Sequence, residues 1–185
     1  MKIRLRLVLA AFAAGILSFS LAPSASAQRP PSVVKASLLL ATNAVHPGVP
    51  ASIAVVAQVA PGYHINDHHP SLDYLIPTEL SFDASKVFSV GQISYPKGKL
   101  EKFVFSAKGL SVYEGEIVMG AGLRVASGIA PGDYVLQGKL GYQACNDHAC
   151  LPPVSVPLTL KVRVAAAGAR LRPVNADVFR KLGPG

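Results

Sequence analysis

Apolar residues along this chain recur mostly at every second position, the period of a strand with one buried face. The clearest run is Val154, Val156, Leu158, Leu160, Val162 and Val164, with Thr159, Lys161 and Arg163 between them. Tyr134, Leu136, Leu140 and Tyr142 alternate in the same way, with Gly138 in their register. Residues 33–41 and 51–60 read as earlier strands, the second presenting Ile53, Val55, Ala57 and Val59 to one side. Residues 78–82 and 87–95 are two shorter strands, and 101–110 alternates weakly around Phe103, Phe105 and Leu110. Residues 112–125 carry another strand, centred on Glu116 to Met119. Turns fall at His46-Pro47-Gly48-Val49-Pro50, at Pro61-Gly62, at 96–100 and at Ala130-Pro131-Gly132-Asp133. Residues 63–76 are polar, rich in histidine and irregular, and read as a long loop. Seven or more short strands at this spacing predict an all-β fold, an immunoglobulin-like β-sandwich, with a small barrel as the competing architecture.

Both ends depart from this pattern. Lys2, Arg4 and Arg6 precede an apolar run from Leu7 to Leu21, and Ala25-Ser26-Ala27 has the small residues of a cleavage site. The run falls short of the ~20 residues that span a membrane comfortably. Residues 1–27 are therefore expected to be a signal peptide, and the mature chain to be exported, periplasmic or otherwise, with no membrane span. Residues 28–164 are then one domain, long enough for a real core. Residues 165–185 are expected to be a tail: a small, basic linker to Pro173, then a short helix capped by Asn175 and running to Leu182, or a frayed end. The net charge of +8 is spread over singly scattered Lys and Arg, three of them in the leader. This reads as a solvated surface and gives no nucleic-acid footprint.

The chemistry concentrates where the two best strands meet. Cys145 and Cys150 are the two cysteines of the chain, with four residues between them, Asn146 and Asp147 among these as turn formers, and Pro152-Pro153 just beyond. Two cysteines in an exported chain favour a disulfide. Facing residues of an antiparallel pair lie ~4.5–5.5 Å apart at Cα, a separation that permits a bridge at the neck of a hairpin. Closing so short a loop removes only about 2 kcal/mol of unfolded-chain entropy. Reactivity is thus the more economical reason for the pair, with a structural staple as the alternative. The prolines lack N–H donors and hold the chain extended past Cys150.

Gly141-Tyr142-Gln143-Ala144-Cys145, then Cys150-Leu151-Pro152-Pro153 and a valine-rich strand, resembles the N-terminal periplasmic domain family of the thiol:disulfide interchange protein DsbD; Pro61-Gly62-Tyr63-His64-Ile65-Asn66 is similar to that family's earlier Pro-Gly-aromatic segment. The resemblance covers residues 33–164. It implies an immunoglobulin-like domain, a protein-disulfide oxidoreductase or electron carrier, that moves reducing equivalents by thiol–disulfide exchange. The donor would be a thioredoxin-like protein or a membrane electron-transfer protein. The acceptors would be periplasmic disulfide isomerases or cytochrome c maturation thiol proteins. Some members have five residues between the cysteines, and this sequence carries neither the membrane portion nor a thioredoxin-like domain, so the relay is expected to use separate proteins. By the same resemblance Cys150 attacks the substrate and Cys145 resolves. A cap loop at 101–113 would shield the disulfide with an aromatic residue, Phe103 before Phe105, beside the Glu101 carboxylate. His148, in the loop, would favour a thiolate if protonated, whereas Asp147 would oppose one. Tyr63 and Tyr142 are candidates to line the site or simply to pack.

Two other readings stay open. One is a non-catalytic immunoglobulin-like binding module with a hairpin staple. The other is an exported metal carrier using His64, His68, His69 and Asp67, or Cys145, His148 and Cys150, since imidazole, thiolate and carboxylate are all ligands. No metal and no cofactor are expected on the main reading: the sequence has no Gly-rich phosphate loop, no supported Ser-His-Asp arrangement and no convincing carboxylate pair.

Overall fold

Period-two alternation becomes eleven strands and one short helix in the computed structural model, which describes residues 33–104 and 106–183. The leader expected at 1–27 and Phe105 lie outside the described residues. Strands β1 (Val34–Leu40), β2 (Pro50–Val59), β5 (Phe88–Ser94) and β8 (Glu116–Val125) form an antiparallel sheet in the order β1-β2-β8-β5. Strands β4 (Glu79–Phe82), β9 (Gly132–Tyr142) and β11 (Val154–Val164) form a second, in the order β11-β9-β4. Their inner faces supply one core. Val34, Leu38, Ile53, Val55, Met119 and Leu123 come from the first sheet, and Leu80, Leu136, Leu140, Leu158 and Val162 from the second. The fold is an immunoglobulin-like β-sandwich. Main-chain bonds from Val45 to Arg163 and from Ala165 to Val45 tie its sheets at one edge.

A third, smaller sheet carries the cysteines. It has the order β10-β3-β7-β6, from β3 (His64–Asn66), β6 (Lys99–Glu101), β7 (Leu110–Tyr113) and β10 (Ala144–Cys145). Three sequence expectations change here. Residues 63–76 are not all loop, because His64–Asn66 pairs with both β10 and β7. Residues 112–125 are not one strand: the chain leaves one sheet at Tyr113 and enters another at Glu116, turning through Gly115, whose φ of 62° suits a residue without Cβ. Of the weakly alternating residues 101–110, Glu101 ends β6 and Leu110 opens β7, and the described residues between them are in neither strand.

The chain after Val164 lies against the sandwich. Val174 N–H donates to Ala41 O, Asn43 N–H to Arg172 O, and Arg172 N–H to Asn43 Oδ1. A helix, α1 (Ala176–Lys181), follows, with Leu182 lying over Gly120 of β8. Asn175 does not cap it by its side chain. The residue is in the left-handed region at φ 55°, and its amide donates to Leu40 O at 2.9 Å, so the side chain anchors the helix to β1 instead.

Gly138 sits at the centre of β9, where a Cβ would come within 2.5 Å of Ser81 O and 2.8 Å of Phe82 Cδ1. The oxygen belongs to the paired backbone of β4 and has little room to move. Gly138→Ala is expected to destabilise the domain by about 1–3 kcal/mol, read as a lower urea midpoint at unchanged slope; a midpoint equal to wild type would contradict this packing.

Candidate functional site

The second sheet ends where β9 reaches Tyr142, opposite Val154 of β11. The two chains then part. β10 pairs with β3, setting Ala144 opposite Ile65 and Cys145 opposite His64. Cys145 and Cys150 are disulfide-bonded across an isolated antiparallel bridge, with Cα atoms 3.9 Å apart. That is closer than the ~4.5–5.5 Å spacing of a regular ladder. Leu151 N–H donates to Ala144 O at 2.8 Å, and Gln143 Nε2 donates to Leu151 O at 3.2 Å. Beyond Leu151, Pro152 and Pro153 have no N–H to continue the pairing.

Asn146 shapes the loop from inside. Its Oδ1 accepts the N–H groups of His148 and Ala149, both at 2.9 Å, and its own N–H donates to Ala149 O at 3.0 Å. These bonds fold the loop without involving the sulfurs. They also leave the cysteines unlike each other: Cys145 is 2% exposed, while Cys150 lies open at the surface.

Over this face lies the segment between β6 and β7. Phe103, half-buried, stacks on His64 with ring centroids 4.3 Å apart, and His64 is in turn opposite Cys145. Next to them is a cleft of about 400 Å³ lined by Tyr63, His64, Phe103, Glu114 and Asp147, among others. Burial holds the His64 imidazole below its ordinary pKa, and this outweighs the opposing pull of the Glu114 and Asp147 carboxylates.

The sequence candidates are distributed unevenly. Cys145, Cys150 and Asp147 are on the hairpin, and Phe103 and Tyr63 meet at the cleft beside it. Tyr142 is buried in the core at the root of the hairpin. Glu101 is on the edge strand β6, where it accepts a hydrogen bond from Lys99 Nζ at 2.8 Å, with β3 and β7 between it and β10. His148 is exposed at the loop tip. The histidines do not form one cluster. His64 stacks on Phe103, whereas His68 stacks on Tyr95 at 3.7 Å and places Nδ1 3.0 Å from Thr78 O. Among the described residues, no three His, Cys, Asp or Glu side chains are arranged to hold a metal ion.

Sequence reasoning did not find the roles of His64, Asn146 or Asp67. Asp67 is buried, and its carboxylate accepts four hydrogen bonds: from Tyr113 OH at 2.7 Å, Ser111 Oγ at 2.6 Å, His69 N–H at 3.1 Å and Gly98 N–H at 3.2 Å. It thereby joins the end of β3 to β7 and to the turn that enters β6. The available signal was an acidic residue directly after Tyr63-His64-Ile65-Asn66, but three of its four partners are 31 to 46 residues away.

A family model described as "Thiol:disulfide interchange protein DsbD, N-terminal" matches residues 35–161. Among solved structures, the reduced N-terminal domain of DsbD from Neisseria meningitidis is 18% identical, with a TM-score of 0.41 over 74% of this chain and 90% of that one. The N-terminal periplasmic domain of ScsB from Proteus mirabilis is 16% identical, at 0.46, over 72% of this chain and 49% of that one. A structure of the complex between the DsbD N-terminal and PilB N-terminal domains of Neisseria meningitidis is 19% identical, at 0.39, over 66% of this chain and 80% of that one. No curated protein matches the chain. No helix among the described residues is long and apolar enough to cross a membrane.

Burial pushes the Asp67 carboxyl up, but the hydrogen bonds from Ser111, Tyr113, His69 and Gly98 together outweigh it and hold the group below its ordinary value. Its stabilising effect is thus complete above the ordinary carboxylate pKa and is lost as pH falls through the lowered folded value. Asp67→Asn, which sets an amide NH2 among donors, is expected to cost about 2–3 kcal/mol at neutral pH. In urea melts the gap to wild type should narrow near pH 3; a gap of constant size would refute the assignment.

Proposed function

The chain belongs to the DsbD N-terminal domain family, and from that membership and the unequal exposure of its two cysteines we propose that it is an exported thiol:disulfide interchange domain. The observation that carries the reading is the exposed Cys150 bonded to a buried Cys145 in a loop that side-chain and main-chain hydrogen bonds already shape. An exposed Cys150 is what a partner would have to meet, and closing a loop this short contributes only about 2 kcal/mol to stability.

In the reduced domain, the Cys150 thiolate attacks one sulfur of a partner's disulfide. A bond forms between Cys150 and that sulfur, and the partner's other sulfur leaves with the electron pair and takes up a proton. Cys145 then attacks Cys150 Sγ, the bond to the partner breaks, and the partner departs as a dithiol. The domain is left oxidised, as in the structure. A thioredoxin-like or membrane-borne dithiol restores it by the reverse steps. The acceptors are exported proteins with reducible disulfides, of the isomerase or cytochrome c maturation type. Export by residues 1–27 would place the domain in the periplasm, the compartment named for the ScsB domain. Phe103 acts as a cap over the Cys145 side of the site and moves aside when a partner docks.

The test uses a purified thioredoxin-fold protein in its disulfide form. Reduced Cys145→Ser should accumulate a mixed disulfide through Cys150, dissolved by dithiothreitol, and Cys150→Ser should yield at most about a tenth as much. Equilibration of the wild-type pair with glutathione should give a potential above about −300 mV. Absence of any adduct, with a potential below that value, identifies an inert staple.

A further inference from the structure

We propose that the His64 imidazole is the base that takes the proton from the Cys145 thiol when Cys145 resolves a mixed disulfide on Cys150, an assignment that rests on the exchange function proposed above. The nucleophile in that step has to be a thiolate. Cys150 is exposed and exchanges its proton with water, but Cys145 is 2% exposed, and burial disfavours ionisation of a thiol. Cys145 therefore needs an acceptor inside the fold.

The ladder provides one. Cys145 and His64 are direct partners across β10 and β3. Side chains of facing residues project from the same side of a sheet with Cβ atoms ~4.5–5.5 Å apart. His64 is 3% exposed, and Phe103 stacks on it, so the pair is closed off from bulk water. The titratable groups that meet the imidazole are Cys145 across the ladder, Tyr63 from the preceding residue, Glu114 from the corner between β7 and β8, and Asp147 from the cysteine loop. No Lys or Arg is among the described residues lining the cleft. Burial keeps the imidazole neutral before the step, and the two carboxylates favour the imidazolium once it has formed.

The step balances without another reagent. The proton passes from Cys145 Sγ to the imidazole as the Cys145–Cys150 bond forms. The bond between Cys150 and the partner breaks, its electron pair leaves on the partner's sulfur, and the imidazolium returns the proton to that thiolate or to water. Read in reverse, the same residue protonates Cys145 as a donor opens the disulfide.

The reduced protein mixed with one equivalent of the chromogenic disulfide DTNB separates the two half-steps. The first thionitrobenzoate appears as Cys150 attacks, and the second as Cys145 resolves. In His64→Gln the first release should stay within about twofold of wild type, while the second slows at least about tenfold, the low end for loss of a general base. The wild-type second phase should fall at acid pH and level off above the imidazole range, and the variant should lack that limb. An unchanged second phase in a folded His64→Gln protein overturns the assignment. If the variant does not fold, as judged by circular dichroism, the wild-type profile decides: a continued rise of about tenfold per pH unit through neutrality, as for an unassisted thiol, overturns it. A wild-type protein that never releases the second equivalent overturns both this assignment and the exchange function beneath it.

Discussion

One buried carboxylate holds the working end of this molecule together. Asp67 follows a strand only three residues long, too short to keep its place by ladder bonds alone. Three of its four hydrogen bonds fasten that strand to β7 and to the turn before β6. Everything near the disulfide depends on this placement. β3 is the surface on which β10 pairs, His64 is on β3, and the segment bearing Phe103 starts and ends in the strands that Asp67 connects. Satisfying a buried carboxylate so fully is what makes it stabilising instead of costly.

The sandwich and the small sheet divide the work. Cross-sheet packing of Val, Leu, Ile and Met keeps the core, and the chain passes between sandwich and small sheet several times, among them after Tyr142 and after Tyr113. The first of these crossings is near Pro152 and Pro153, which have no N–H for a ladder, and the second turns through Gly115 at a positive φ. The cysteine loop is therefore attached to the sandwich without being part of it. The difference in exposure between the two cysteines follows from this arrangement: Cys145 is still inside a sheet, and Cys150 has already left one.

What was legible in the sequence follows the same division. The alternations of β9 and β11 were plain because each strand has one wet and one dry face, and the cysteine pair with its prolines stood out by composition. The small sheet was much less so. His64-Ile65-Asn66 has one apolar residue among three, so it carries no readable period, and it is buried on account of partners contributed by distant segments. The break falls at Glu114-Gly115-Glu116, a short polar step between Val112-Tyr113 and Ile117-Val118-Met119, whose apolar residues on both sides made the two strands read as one stretch. Asp67 and His64 looked like members of one histidine-rich group because they are close in sequence, yet the fold turns them to different neighbours. Asn175 was read as a helix cap from its type, but β1 offers it a carbonyl that the cap geometry does not.

The loop between the cysteines has one more consequence. Its shape is set by Asn146, by the bond from Leu151 to Ala144 and by the pairing of β10, none of which passes through sulfur. Cutting or remaking the disulfide removes no hydrogen bond of that scaffold. On the proposed exchange function, a protein arriving to give electrons and one arriving to take them would meet the same contour, as two plugs meet one socket, and the direction of flow would be left to the potentials and the amounts of the two visitors.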